Sequence, residues 1–323
     1  METVSVGGRR YSDPDVISLI RETGGLIDPR SAVLTQARRC LKIIKGFHNI
    51  PADPIARLRI VASVCGIADV ASMNIAQQKT ETTDAVLVEK ISGERSIFYN
   101  PTRPRSRVAF SIAHEIAHTF FPSSARGARF RNICSTSSRE ANELERLCDL
   151  GASELLMPID EFRAAAEGIY SLSRVQGLSQ CFGSSFEATA FRLASAHPGI
   201  AVAGLLRYRL RLSELRQRKS AEQASLFNLP NKMNNKKSQP KYRRQSLHLS
   251  EACGSEYTIR WNKSFDPCSV VYKASVTDGV QVGIETLPNE VSKDGRLEAI
   301  KAPYQREDAD PEFGDVLFFW STD

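Results

Sequence analysis

The feature that most constrains this chain is the segment from Phe110 to Pro122, FSIAHEIAHTFFP, in which His114, Glu115 and His118 stand in the order H-E-x-x-H. At 3.6 residues per turn, histidines four positions apart leave a helix from one face, one turn apart. Two imidazoles so placed can hold one zinc ion, with Glu115 beside the place where a metal-bound water would sit. The flanking Phe110, Ile112, Ala113, Ile116, Ala117, Phe120 and Phe121 are apolar, so this helix is expected to be buried. The bare pattern also arises by chance, and its standing depends on whether the chain supplies the remaining parts of a metal site.

A second helical pattern runs from Glu140 through Leu156 and ends at Met157-Pro158. Its Glu140 and Glu143 read as surface residues that suit the start of a helix dipole. Glu145 and Asp149 differ because they stand at i and i+4, on one face. A catalytic zinc takes a third protein ligand, and a ligating histidine usually gives its other N–H to a carboxylate. One helix can meet both needs, with Glu145 on the metal and Asp149 on the outer nitrogen of His114. Cys148 could act as a soft ligand, but three residues from Glu145 it reads as a thiol filling a small core space.

Together, RVAFSIAHEIAHTFFP and ELERLCDLGASELLMP resemble the ImmA/IrrE family of metallopeptidases, in which an H-E-x-x-H helix precedes an acidic helix ending in L-L-M-P. The resemblance covers Asp53 to Ala196. It implies that His114 and His118 are zinc ligands, that Glu115 is the catalytic carboxylate and that Glu145 is the third ligand. Asp149 fits a supporting position behind His114. Cys148 and Gly151 depart from the commoner pattern, which has alanine and phenylalanine there. By the same resemblance, the substrate is a helix-turn-helix repressor whose cleavage releases a stress, phage-defence or mobile-element response.

The rest of the chain suggests an α+β protein: a zincin-like metallopeptidase core, a helix-turn-helix-like segment and a small β-rich C-terminal domain. Residues 1–50 read as a helical extension, with Val33, Leu34, Ala37, Leu41 and Ile44 at helical spacing. Residues 51–160 read as the peptidase core. Asp53, Pro54 and Gly66 punctuate one helix, and strands are expected over Ala85–Glu89 and Ser96–Tyr99. Residues 161–200 read as a helical pair broken at Gly183. Of the polar residues on its second helix, Glu187, Thr189, Arg192 and Ser195, few suit base reading, which favours packing over direct DNA contact. Residues 201–246 read as a basic linker that begins as a strand-like alternation over Arg207–Leu212 and drifts into a charged helix, and residues 247–323 as the β-rich domain, with a hairpin at Asp278-Gly279.

The net charge of +6 is concentrated between Arg207 and Arg244, where twelve Lys/Arg face only Glu214 and Glu222. That segment is an electrostatic footprint for weak or indirect nucleic-acid contact, or a solvated tether. Seven scattered cysteines without a C-x-x-C pair argue against a disulfide framework and a zinc ribbon. No apolar run reaches membrane-spanning length and the N-terminus lacks a signal-peptide core, so a cytosolic protein is expected, with no membrane partner.

The function this implies is zinc-dependent peptide-bond hydrolysis, with a zinc-bound water and Glu115 as general base. The rival readings are a DNA-binding transcriptional regulator with a structural zinc site, and a scaffold protein whose site is inactive.

Overall fold

The computed structural model describes residues 2–47, 49–73, 83–90, 92–122, 129–132, 139–226, 239–305 and 309–322. It is an α+β protein that divides into two units, Met1–Phe162 with Ser179–Ser185, and Arg163–Leu178 with Phe186–Asp323. No helix among the described residues is long and apolar enough to cross a membrane.

The first unit opens with a two-stranded hairpin, β1 (Val4–Val6) and β2 (Arg9–Tyr11), turned by Gly7 and Gly8 at positive φ. Three helices follow: α1 (Pro14–Glu22), α2 (Pro29–Lys45) and α3 (Pro54–Val64). Each begins at an Asp-Pro pair. Proline lacks the N–H that a first-turn position leaves unsatisfied anyway, and the aspartates at 13 and 53 accept backbone N–H groups of the first turn. Residues 1–50, expected as an N-terminal helical extension, also carry the β1–β2 hairpin and lie in the first unit. Val16, Leu19, Ile20, Ala32 and Val33 share one core with Ala117, Phe121, Leu144, Leu147 and Cys148, so the N-terminal helices complete the peptidase-like unit.

A four-stranded sheet, in the order β3-β5-β4-β6, lies in this unit. Its strands are β3 (Ile67–Ser72), β4 (Thr83–Glu89), β5 (Arg95–Tyr99) and β6 (Arg129–Asn132). Between β5 and β6 runs α4 (Arg105–His118), and after β6 comes α5 (Arg139–Leu156). The strands and helices expected around the H-E-x-x-H segment are therefore present.

Four further helices follow in chain order: α6 (Ile159–Ala166), α7 (Leu172–Phe182), α8 (Phe186–Ala196) and, after a strand, α9 (Leu212–Leu226). Gly183 separates α7 from α8 at φ +62, and a Cβ there would fall 2.4 Å from Pro54 Cγ, so glycine is required both by conformation and by space.

The second unit is built on a five-stranded antiparallel sheet, β8-β7-β11-β10-β9. The strands are β7 (Ala201–Arg209), β8 (Lys241–Leu249), β9 (Gln281–Thr286), β10 (Asp294–Lys301) and β11 (Asp315–Ser321). One face packs Val202, Val316, Phe318 and Trp320 against α10 (Val270–Val276), and Leu205 and Leu317 of the other face meet Phe186 and Phe191 of α8.

Two sequence expectations fail in this unit. The basic linker over 201–246 is not a linker, because its two ends are the paired strands β7 and β8. Part of its charge is used inside the unit. Arg207 pairs with Asp315 at 3.4 Å, Arg243 reaches Glu214 and the carbonyls of Arg209 and Asn262, and Arg244 stacks 4.3 Å over Trp261. Of the stretch 231–244, the part of the segment that reads as a solvated tether, residues 231–238 lie outside the described residues and Lys241–Arg244 open β8. Likewise the hairpin expected at Asp278-Gly279 is instead a helix followed by one strand. Ser269 Oγ caps the Val271 N–H at 3.2 Å and Val270, Val271 and Ala274 are buried, so packing overrides the β preference of three valines.

Candidate metal centre

The H-E-x-x-H residues occupy the last turn and a half of α4, and every residue from Ser111 to His118 is buried. Burial of Ile112 and Ile116, both fully enclosed, contributes roughly 1.5–3 kcal/mol apiece and fixes which face turns inward. The helix start is tied to the sheet by Asp84 at the beginning of β4. Its carboxylate, 3% exposed, meets Arg103 and Arg107 at 2.8 Å each. The basic loop before α4 thus anchors the metal helix to the sheet.

Close approach of α5 depends on Gly151. A Cβ at that position would lie 3.0 Å from Ala117 Cβ and 3.1 Å from Val33 Cγ1, tight enough that these neighbours would have to give by a few tenths of an ångström. A large side chain there would hold α5 away from α4. Glu143, expected as a solvated surface residue, has a different role: its carboxylate accepts the backbone N–H groups of Ser12 and Asp13 at 2.9 and 3.3 Å, tying the N-terminal segment to α5.

With the helices at this distance, Glu145, Cys148 and Asp149 all reach the two histidines. The carboxylate of Glu145 lies between the Nε2 atoms, 3.1 Å from that of His114 and 3.7 Å from that of His118. Asp149 Oδ1 is 2.9 Å from Nδ1 of His114. Cys148 Sγ is 3.4 Å from Nδ1 of His118. The histidine rings stand edge to face with centroids 4.9 Å apart. Both histidines are nearly inaccessible, whereas the Glu145 and Asp149 side chains are 44% and 48% exposed, so the site is buried on the α4 side and open on the α5 side. Glu115 is held from the sheet, its Oε2 accepting the Leu87 N–H of β4 at 3.0 Å.

These contacts fit a divalent cation. A proton on His114 Nδ1, given to Asp149, leaves the Nε2 lone pair facing a carboxylate oxygen at 3.1 Å. Two acceptors so close need a shared proton or cation between them. Ligands of a tetrahedral ion with bonds of about 2.0–2.1 Å stand about 3.4 Å apart, a value that the two Glu145 contacts straddle. A second donor set, His114, His118 and Cys148, also lies within 4.8 Å. Its sulfur, however, faces the Nδ1 side of His118, away from the nitrogen that meets Glu145. The pair Asp149 and Cys148 therefore sits behind the histidines, and Glu145 sits in front of them.

The structure thus brings together His114, Glu115, His118, Glu145 and Asp149, all five sequence candidates. Sequence reasoning missed three supports: the Cys148 contact to His118, the Leu87 N–H on Glu115, and the Gly151 approach. The first two depend on which ring nitrogen or strand N–H is nearby, which no spacing rule encodes. Gly151 stood out only as a departure from the commoner residue.

The segment that holds this cluster is similar to known proteins. Residues 68–194 match the model of the IrrE N-terminal-like domain, the Peptidase_M78 family. No curated protein sequence matches the chain. Among solved structures, a Mycobacterium tuberculosis transcriptional regulator is similar in fold, with a TM-score of 0.52 and 16% identity over 95% of this chain and 81% of that one. At that identity the likeness concerns the fold alone. The matched segment contains α4, α5 and the whole cluster between them, so this cluster lies within a region similar to the IrrE N-terminal-like domain.

Proposed function

We propose that the chain is a zinc-dependent endopeptidase whose centre is the cluster between α4 and α5. The observation that carries this reading is the Glu145 carboxylate set between the two Nε2 atoms of His114 and His118. Those three side chains would hold the ion, which supplies a Lewis acid for the scissile carbonyl and an acidified water at neutral pH. Asp149 and Cys148 orient the imidazoles from behind. Glu115, fixed by the Leu87 N–H, takes a proton from water and delivers it to the leaving amine. The strand β6 ends the sheet next to β4, and an extended peptide can add to such an edge through main-chain hydrogen bonds.

The proposed substrate is a helix-turn-helix repressor, so that DNA enters through the partner and not through this chain. The alternative reading as a direct DNA reader draws no support from α8, since two of its polar residues, Thr189 and Arg192, are buried. The test incubates helix-turn-helix repressors from the same genome with full-length, zinc-loaded protein. Cleavage that stops with chelator and is absent in Glu115→Gln supports the reading. Intact partner after incubation with protein carrying one zinc per chain, or equal cleavage by Glu115→Gln, contradicts it.

A further inference from the structure

Away from the metal centre, Sγ of Cys40 on α2 lies 3.3 Å from Sγ of Cys65, the residue that closes α3. Cys40 is 8% exposed and Cys65 is half-buried. Both line a cavity of about 460 Å³ whose walls also include Arg39, Arg95, Thr119 and Phe120. We propose that Cys40 and Cys65 are a reversible thiol–disulfide site, closed to a bridge by a hydroperoxide that enters through this cavity.

The two sulfurs already touch. A disulfide needs about 2.04 Å between them, so they must close by about 1.3 Å, within reach of small side-chain rotations. The residues belong to neighbouring elements, a helix and the end of the next helix, so bridging needs no rearrangement of the chain path.

The pair is also electrostatically asymmetric. The contact between the two sulfurs, with help from Arg39, holds the Cys40 pKa down, and the same contact together with burial pushes the Cys65 thiol up. Cys40 is therefore the attacking sulfur, because the thiolate is the nucleophile. Its lone pair attacks one peroxide oxygen, the O–O bond breaks, and Cys40 becomes a sulfenic acid while the other oxygen leaves as water or an alcohol. The Cys65 sulfur then attacks the Cys40 sulfur, the S–O bond breaks, and the hydroxyl leaves as water with the Cys65 proton. Two thiols are oxidised by two electrons and one hydroperoxide is reduced. The bridge would tie α2 to the turn between α3 and β3. Thr119, which closes α4 next to His118, lines the same cavity as Cys65, so the thiol pair lies near the end of the metal helix.

The test uses full-length protein, reduced, desalted, treated with hydrogen peroxide and then blocked with N-ethylmaleimide. Peptide mapping is expected to find Cys40 linked to Cys65, with the mass loss of two hydrogens, and dithiothreitol should restore both thiols. The exposed Cys181 and Cys268 report the peroxide dose. Cys65→Ser should abolish the bridge and leave Cys40 as a sulfenic acid that dimedone traps. Recovery of Cys40 and Cys65 as maleimide adducts at a dose that oxidises Cys181 or Cys268 would overturn the proposal. So would sulfonic acid at Cys40 with no linked peptide. Because the wild-type map alone decides, a variant that fails to fold leaves the result intact.

Discussion

Asp149 Oδ1 stands 2.9 Å from Nδ1 of His114, on the side of the ring opposite Glu145. The contact fixes the tautomer that leaves Nε2 bare, and it makes the imidazole a better donor to a cation. Asp149→Asn is expected to lower zinc affinity by roughly 10–100-fold, measured by competition with a chromophoric chelator. Affinity equal to the wild type would mean that the ring is held by its packing alone.

Glu145 and Cys148 are separated by the same type of measurement. Glu145→Ala is expected to weaken zinc binding far more than Asp149→Asn does. Cys148→Ala should leave most of the affinity and cost about 1 kcal/mol of stability from the small cavity left at a fully buried position. If Cys148→Ala abolished binding and Glu145→Ala did not, the sulfur would be the ligand.

The third prediction concerns the spacing of α4 and α5. Gly151→Leu would drive side-chain atoms into Ala117 and Val33, so urea denaturation should show a loss of about 3 kcal/mol or more, with zinc affinity lost alongside. Gly151→Ala sets a helix-propensity gain of about 1 kcal/mol against an overpacking cost of about 1–3 kcal/mol, for a small net loss. A stabilised Gly151→Leu variant would show that the helices can separate freely.

Asp53 links stability to pH. Its pKa lies below the ordinary 3.8, chiefly because the carboxylate accepts the Ala56 N–H at 3.0 Å, with Arg105 adding. A carboxylate with a depressed folded pKa contributes stability that is complete above its unfolded value and is lost as pH falls through the folded one. Asp53→Ala should therefore cost about 1 kcal/mol at neutral pH. The difference from wild type should shrink as pH drops below about 4. A pH-independent difference would assign the loss to packing.

What the sequence revealed follows from how local each signal is. The Asp53-Pro54 start, the α4 and α5 helices and the β4–β5 pair were legible because capping, periodicity and alternation act within a few residues. Asp13-Pro14 and Asp28-Pro29 carried the same start signal in a region read only as helical. The partnership of α4 with α5 came from two motifs considered together. Strand β8 was hidden because its arginines find partners outside the charge run, such as the Asn262 carbonyl and Trp261, and a charge run with no visible partner reads as a tether. Helix α10 was hidden for the opposite reason, since its valines favour a strand until burial decides.

The central claim is that one cation sits between the Nε2 atoms and Glu145, with Cys148 behind the ring of His118. X-ray absorption at the zinc edge of the full-length, zinc-loaded protein tests it most directly. The account predicts a first shell of nitrogen and oxygen at about 2.0–2.1 Å with imidazole scattering, and no sulfur. A zinc–sulfur distance of about 2.3 Å would contradict it, moving Cys148 into the ligand set in place of Glu145.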